Sequence, residues 1–257
     1  MTAQPQLDTG ELTRQVKALY RRVALEPQAT YHFPIGRPLA EQLGYPTDLL
    51  DRIPAEALAS FAGVGYALDL ANLTPSDRVL DLGSGSGTDS FVAALLVGPT
   101  GTVTGLDMTD GQRAKADRLS GDAAHIRFVH GHLEDLPLAD ESVDVVVSNG
   151  VINLCPDKAR VFRQIARVLT RAGRVAIADI VAARPLPASV TCNADLWAAC
   201  IGGAATDVAY RAAIEEAGLE LDTFRNVPNY RFLTDQARSA SLSYGVRAVT
   251  LAAHRDR

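Results

Sequence analysis

The sequence predicts an α/β protein: an open, doubly wound and mostly parallel sheet beneath an N-terminal helical cover. Three observations predict it. From Val79 onward, short β-branched runs alternate with helical patterns, as a sheet with helices on both faces requires. A glycine-rich turn, Asp81-Leu82-Gly83-Ser84-Gly85-Ser86-Gly87-Thr88, stands where the first of these strands gives way to a helix. The 257 residues are 47% hydrophobic, enough for a real core in one large domain or two small ones.

Leu12, Val16, Leu19, Tyr20 and Val23 share one face of an amphipathic helix that ends before Pro27. Residues 31–71 are rich in proline, glycine and aromatics and read as short helices joined by turns. So short a stretch hardly makes a core of its own, and residues 1–72 are expected to form a cover on a core of residues 73–257. After Thr74-Pro75 the pattern becomes strand (79–82), helix (91–96) and strand (102–107). Residues 126–129, 143–147 and 174–178 supply three more runs suited to strands buried on both faces. Asp157 caps a helix that places Val161, Phe162, Ile165, Val168 and Leu169 on one face, between the last two of those strands. Residues 183–204 read as an insertion, after which 207–218 and 219–224 resume helix and strand.

Lysine plus arginine number 25 against 30 aspartates plus glutamates, a net charge of −5 that argues against a life on phosphate backbones or anionic membranes. Cys155, Cys192 and Cys200 are odd in number and lack C-x-x-C spacing, so reduced thiols are expected, with neither a disulfide framework nor a structural metal. Residues 1–10 lack the apolar run of a secretory signal, and the uncharged stretch 90–106 is too short and too glycine-broken to span a bilayer. A cytoplasmic protein is the expectation.

The glycine turn reads G-x-G-x-G. A dinucleotide fingerprint would need glycine at Thr88, and the preceding Asp81 suits a cationic amino group better than a pyrophosphate. Asp107 ends the next strand, 20 residues past Gly87, where a carboxylate can accept both hydrogen bonds of a ribose diol. Glu134-Asp135 follows the third strand. Together these outline S-adenosyl-L-methionine, its methionine end near Asp81, Gly83, Ser84, Gly85 and Gly87, its ribose at Asp107 beside Met108, and its adenine near Leu133 and Glu134. The alternative is that Asp81 and Asp107 only cap helices and the glycines only turn the chain.

Residues 79–87, Gly105-Leu106-Asp107-Met108-Thr109, and Ser148-Asn149-Gly150-Val151-Ile152-Asn153-Leu154 with Pro156-Asp157-Lys158 resemble the class I S-adenosylmethionine-dependent methyltransferases. More closely, they are similar to the arsenite methyltransferase group, from roughly Tyr45 to Gly218. The resemblance implies a seven-stranded, Rossmann-like sheet whose last strand, about 246–252, is antiparallel, and it adds Asn149 to the expected cofactor-binding residues. That group carries one cysteine in a Gly-Cys-Gly turn before the first strand and another directly after Ser-Asn; this chain has Val64 and Gly150 there. Cys200, in Cys200-Ile201-Gly202-Gly203-Ala204, matches the group's remaining arsenic-holding cysteine, and Cys155 or Cys192 could complete a soft site. An inert buried thiol is the other reading of each.

Methyl transfer is an in-line displacement that needs alignment and exclusion of water, and a base only for hydroxyl acceptors. Cys200, Cys155 and His32 are the catalytic candidates, with His132 a further histidine beside the expected adenine site. Asn149-Gly150-Val151-Ile152 lacks the Asn/Asp-Pro-Pro-aromatic signature common in nucleic-acid methyltransferases, and the expected partner is a small molecule or metalloid. Tyr31, Phe33, Phe61, Tyr66 and Trp197 suit a pocket for a small aromatic or apolar metabolite, the alternative acceptor. Residues 31–33 and 61–65 are expected to close over the methyl group. A methyltransferase-like binding module without chemistry is the third reading.

Overall fold

The computed structural model describes residues 7–193, 196–197 and 201–256. Seven strands form one sheet: β1 (Arg78–Leu82), β2 (Thr102–Asp107), β3 (Ile126–His130), β4 (Val143–Asn149), β5 (Leu169–Val181), β6 (Leu219–Asn226) and β7 (Arg247–Arg255). Their order is β3-β2-β1-β4-β5-β7-β6. The strands from β3 to β5 are parallel, and β7 runs antiparallel to both β5 and β6. The expected seven-stranded, mostly parallel sheet with a reversed last strand is what the chain forms.

Alternation along the strands feeds two cores. Val79 of β1, Val145 and Val147 of β4, and Ala176 and Ile180 of β5 pack on one side, whereas Leu80, Leu82, Val146, Val175 and Ile177 pack on the other. The second side is closed by α7 (Lys158–Val168) through Val161, Phe162, Ile165 and Val168, and by the helix Asp207–Glu216 through Tyr210 and Ile214. The first side receives α5 (Thr88–Val97), Ala116 of α6 (Asp110–Ser120) and the cover. Within the cover, α1 (Thr9–Leu25) buries Leu12, Val16 and Val23, while α2 (Arg37–Leu43), α3 (Thr47–Leu50) and α4 (Ala55–Ala59) follow as short helices. Asp8 caps α1 by accepting from the Glu11 amide, and Asp157 caps α7 by accepting from the Arg160 amide at 2.8 Å.

One boundary needs correction. Leu169 is not the last residue of α7 but the first of β5: the helix ends at Val168, and the strand extends to Val181 rather than covering only 174–178. Its pairing with β4 passes from Val143↔Leu169 to Val145↔Arg174 across a bulge, where Ala172 takes φ +60°, so hydrophobicity alone misplaces the junction. The helix Asp235–Tyr244 has no counterpart in the sequence reading; its small buried residues, Ala237 and Ala240, give little periodic signal. The chain leaves the sheet after β5 beside a bridge between Ala182 and Thr206, with Ala182 N–H donating to Ala205 O at 2.9 Å and Asp207 N–H donating to Ala182 O at 3.0 Å. Among the described residues no helix is long and apolar enough to cross a membrane.

Candidate functional site

A pocket opens at the carboxyl ends of β1, β2 and β4, where the crevice of an open α/β sheet is expected. Its floor begins with the glycine turn. Leu106 O accepts from the amides of both Gly83 (2.7 Å) and Ser84 (3.0 Å), and Gly83, Gly85 and Gly87 take φ of +68°, +55° and +95°. A methyl group added at Gly83 would lie 2.7 Å from the Val151 side chain, so this turn closes against the β4 loop only with glycine.

Four carboxylates line the pocket, those of Asp81, Asp89, Asp107 and Glu134, and among the described residues no lysine or arginine lines it. Asp81 accepts from Ser90 Oγ at 2.6 Å and is pushed up to about 8, first by burial and then by the neighbouring Asp89. Burial also raises Asp89, against the hydrogen bonds from Tyr45 and Asn149. Asp107 accepts from the Gly85 amide at 3.0 Å through Oδ2 and from the Thr109 amide at 2.7 Å through Oδ1; burial raises it as well. It thus does the turn-capping work of the alternative reading, yet each oxygen keeps acceptor capacity toward the pocket it lines. A site so rich in buried carboxylates favours a ligand that brings positive charge.

Of the residues expected at the cofactor, Asp81, Gly83, Ser84, Gly85, Asp107, Met108, Leu133, Glu134 and Asn149 all line this one pocket. Gly87 instead turns the chain into α5 as its N-cap. Asn149 is occupied on the cover side. Its Oδ1 accepts from the Val64 amide at 2.8 Å, and its Nδ2 donates to Gly65 O (2.9 Å), Asp89 Oδ2 (3.0 Å) and Tyr45 Oη (3.0 Å). Asp89 and Tyr45 escaped the sequence reading. The signal for Asp89 is a lone acidic residue in the first turn of a helix that is wholly apolar from Phe91 onward.

The cover reaches the pocket through Leu12, Thr13, Val16 and Tyr20 of α1 and through residues 60–63. Gln112 Nε2 donates to Tyr20 O at 3.0 Å and Lys115 Nζ to Ala24 O at 3.0 Å, so α6 holds α1 in place. Residues 31–33, expected over the methyl group, lie elsewhere: Tyr31 and Phe33 pack with Val23, and His32 meets the Phe33 ring edge-on at 4.6 Å, outside the pocket lining. His32 is therefore not brought to the site, whereas His132 lines it. Tyr66 and Trp197 do not line it either, and Phe61 does.

Cys155 lines the pocket, buried, with its thiol beside Glu134 and pushed well up by burial. Cys192 is half-buried and is not part of the lining, and Cys200 lies outside the described residues. Behind the pocket, Lys158 Nζ donates to Asn153 O (3.1 Å) and Cys155 O (2.9 Å) and sits 5.0 Å from the centre of the Trp197 ring. Asp179, buried, accepts from Tyr210 Oη at 2.7 Å and is pushed up to about 6 by burial.

The sheet order, the glycine turn on β1 and the carboxylate ending β2 define a methyltransferase domain, and the chain belongs to the methyltransferase domain family, whose model matches residues 73–221. Within that class it is similar to arsenite methyltransferases. The Halobacterium salinarum enzyme is 43% identical over 183 residues, 70% of this chain and 46% of that protein; the human enzyme is 34% identical over 77% of this chain and 55% of its own length. The crystal structure of an arsenic(III) S-adenosylmethionine methyltransferase from Chlamydomonas reinhardtii superposes with a TM-score of 0.63 at 30% identity, covering 87% of this chain and 74% of that one. The chain spans about half the length of the curated relatives it matches.

Proposed function

We propose that the chain transfers a methyl group from S-adenosylmethionine to a small acceptor, with arsenite the named acceptor. The observation that carries the reading is the single strand-end pocket that gathers the glycine turn, Asp81, Asp107 and Glu134 without a lining cation among the described residues. That lining suits the cofactor chemically: Asp81 would hold its ammonium, Asp107 the ribose diol, and Leu133 with Glu134 the adenine edge. When bound, the cofactor would supply a methyl carbon activated on a sulfonium, whose departing sulfur would be a neutral thioether. The chain's part is to bind, orient and exclude water, for which α1 and residues 60–63 supply the apolar wall. Because Cys155 stands against Glu134, it belongs to the adenine end of the pocket on this reading, not to the acceptor.

Arsenite as acceptor is supported by the named relatives at 30–43% identity. One observation favours the second reading, a small organic or sulfur nucleophile. Val64 is buried beside Gly150, an apolar contact where the resemblance places two thiols. The test is methyl transfer from labelled S-adenosylmethionine to a panel of arsenite, small thiols, selenite and phenolic metabolites. Label on arsenite supports the first reading, and label only on a phenol or thiol moves the function to the second. Absence of cofactor binding by calorimetry overturns both.

A further inference from the structure

Tyr45 lies outside the pocket lining, yet its hydroxyl is the hub of a buried network that reaches the pocket from two sides. It donates to Asp89 Oδ1 at 2.5 Å, and Asn149 Nδ2 donates to Asp89 Oδ2 at 3.0 Å. The carboxylate at the start of α5 thus holds two donors at once. The same Asn149 grips the backbone of the cover, donating to Gly65 O and accepting from the Val64 amide, while the Tyr45 ring packs edge-on against Phe61 at 5.2 Å and tilted against Tyr66 at 4.4 Å. There is no slack in the segment. A methyl group on Gly63 would lie 2.6 Å from Asn149 Nδ2, and one on Gly65 would lie 2.9 Å from both Ala178 and Thr250.

We infer that Asp89 is a positioning residue: through Tyr45 and Asn149 it latches residues 61–65 onto the start of α5 and the end of β4, fixing the wall that the cover presents to the acceptor. An ionised carboxylate is the group that can accept from the phenol and the amide together, with no donor of its own to misdirect either. The inference rests on the methyl-transfer reading for its kinetic consequence alone. The latch itself is a statement about the segment's order.

The test uses Tyr45→Phe, which deletes the hydroxyl and keeps the ring contacts, and Asp89→Asn, which keeps the shape but accepts one hydrogen bond where the carboxylate accepts two. Hydrogen exchange is read at the Val64 amide, S-adenosylmethionine affinity by calorimetry, and turnover with arsenite and a small monothiol. In Tyr45→Phe the expected results are at least tenfold faster exchange at Val64, cofactor affinity within about twofold of the parent, and a turnover number at least tenfold lower. Asp89→Asn is expected to fall between Tyr45→Phe and the parent in exchange. Unchanged exchange at Val64 in both variants overturns the latch. Loss of cofactor affinity in step with turnover in Tyr45→Phe overturns the positioning role and makes the network part of the cofactor site. If the parent transfers no methyl group to arsenite, the arsenite reading fails separately, and the exchange measurement still decides the latch.

Discussion

Val64 stands against Gly150: a methyl group on Gly150 would lie 3.3 Å from Val64 Cγ1, and Val64 is only 1% exposed. The two positions that the resemblance marks for thiols are therefore neighbours in space and form an apolar contact. Val64→Cys is expected to raise arsenite affinity severalfold, since it adds a soft ligand at a residue touching the pocket wall. Gly150→Cys carries a penalty, because Gly150 has φ +71°, and a side chain there costs about 1–2 kcal/mol. Isothermal titration with arsenite and thermal melts of the two single variants check both statements; equal melting temperatures would contradict the second.

Asp107→Ala is expected to weaken S-adenosylmethionine binding by well over the tenfold that corresponds to about 1.4 kcal/mol. The substitution also frees the Gly85 and Thr109 amides that the carboxylate now accepts from. Asp107→Asn, whose amide oxygen can still accept from one of those amides, separates the two effects: it should melt closer to the parent than Asp107→Ala while binding remains weak. Calorimetry giving unchanged affinity in both variants would remove Asp107 from the cofactor site.

Asp81 makes the cofactor-free protein pH-dependent with a definite sign. Its carboxyl rises from 3.8 unfolded to about 8 folded, so the folded state holds the proton more tightly between those values. The stability this contributes is present at low pH and is lost as pH rises through about 8. Asp81→Asn does not titrate, and its melting temperature relative to the parent should climb between about pH 5.5 and about pH 8. A cationic ligand favours the ionised form, so binding near neutrality should release a proton, visible as a buffer-dependent heat. A pH-independent difference in melting temperature would refute the assignment.

Lys158→Met is expected to cost about 3 kcal/mol in urea unfolding, because it leaves buried Asp179 without its nearby cation and strips a donor from two carbonyls. The side chain also holds the Trp197 ring, so near-ultraviolet dichroism should change with it. A loss below about 1 kcal/mol would show that methionine packs there as well as the ammonium does.

Much of the sheet was legible because each central strand is a short, valine- and leucine-rich run bounded by turn residues, and the glycine turn with Asp81 and Asp107 points to the strand ends. What stayed hidden depends on contacts far apart in sequence. Tyr45 and Asp89 are 44 residues apart and Tyr45 and Asn149 are 104 apart, and no local pattern joins them. Residues 31–33 are expected as a lid because the sheet leaves its crevice open and no other segment is free to cover it; instead Tyr31 and Phe33 pack with Val23, and His32 stays outside the pocket lining. The boundary at Leu169 failed because a leucine serves a helix and a strand equally well, and the bulge that decides between them lies at Ala172.

The Ala182–Thr206 bridge closes the neck of the 183–204 excursion with two backbone hydrogen bonds. Backbone pairing at a neck is indifferent to side-chain identity. Insertions in its exposed stretch 183–189 can therefore be absorbed while β5 and the helix Asp207–Glu216 keep their register, whereas Leu196, Trp197, Ile201 and Ala204 of the same excursion are buried in the core. Tolerance to change is thus graded along the excursion, wide at its exposed start and narrow where its apolar side chains join the core.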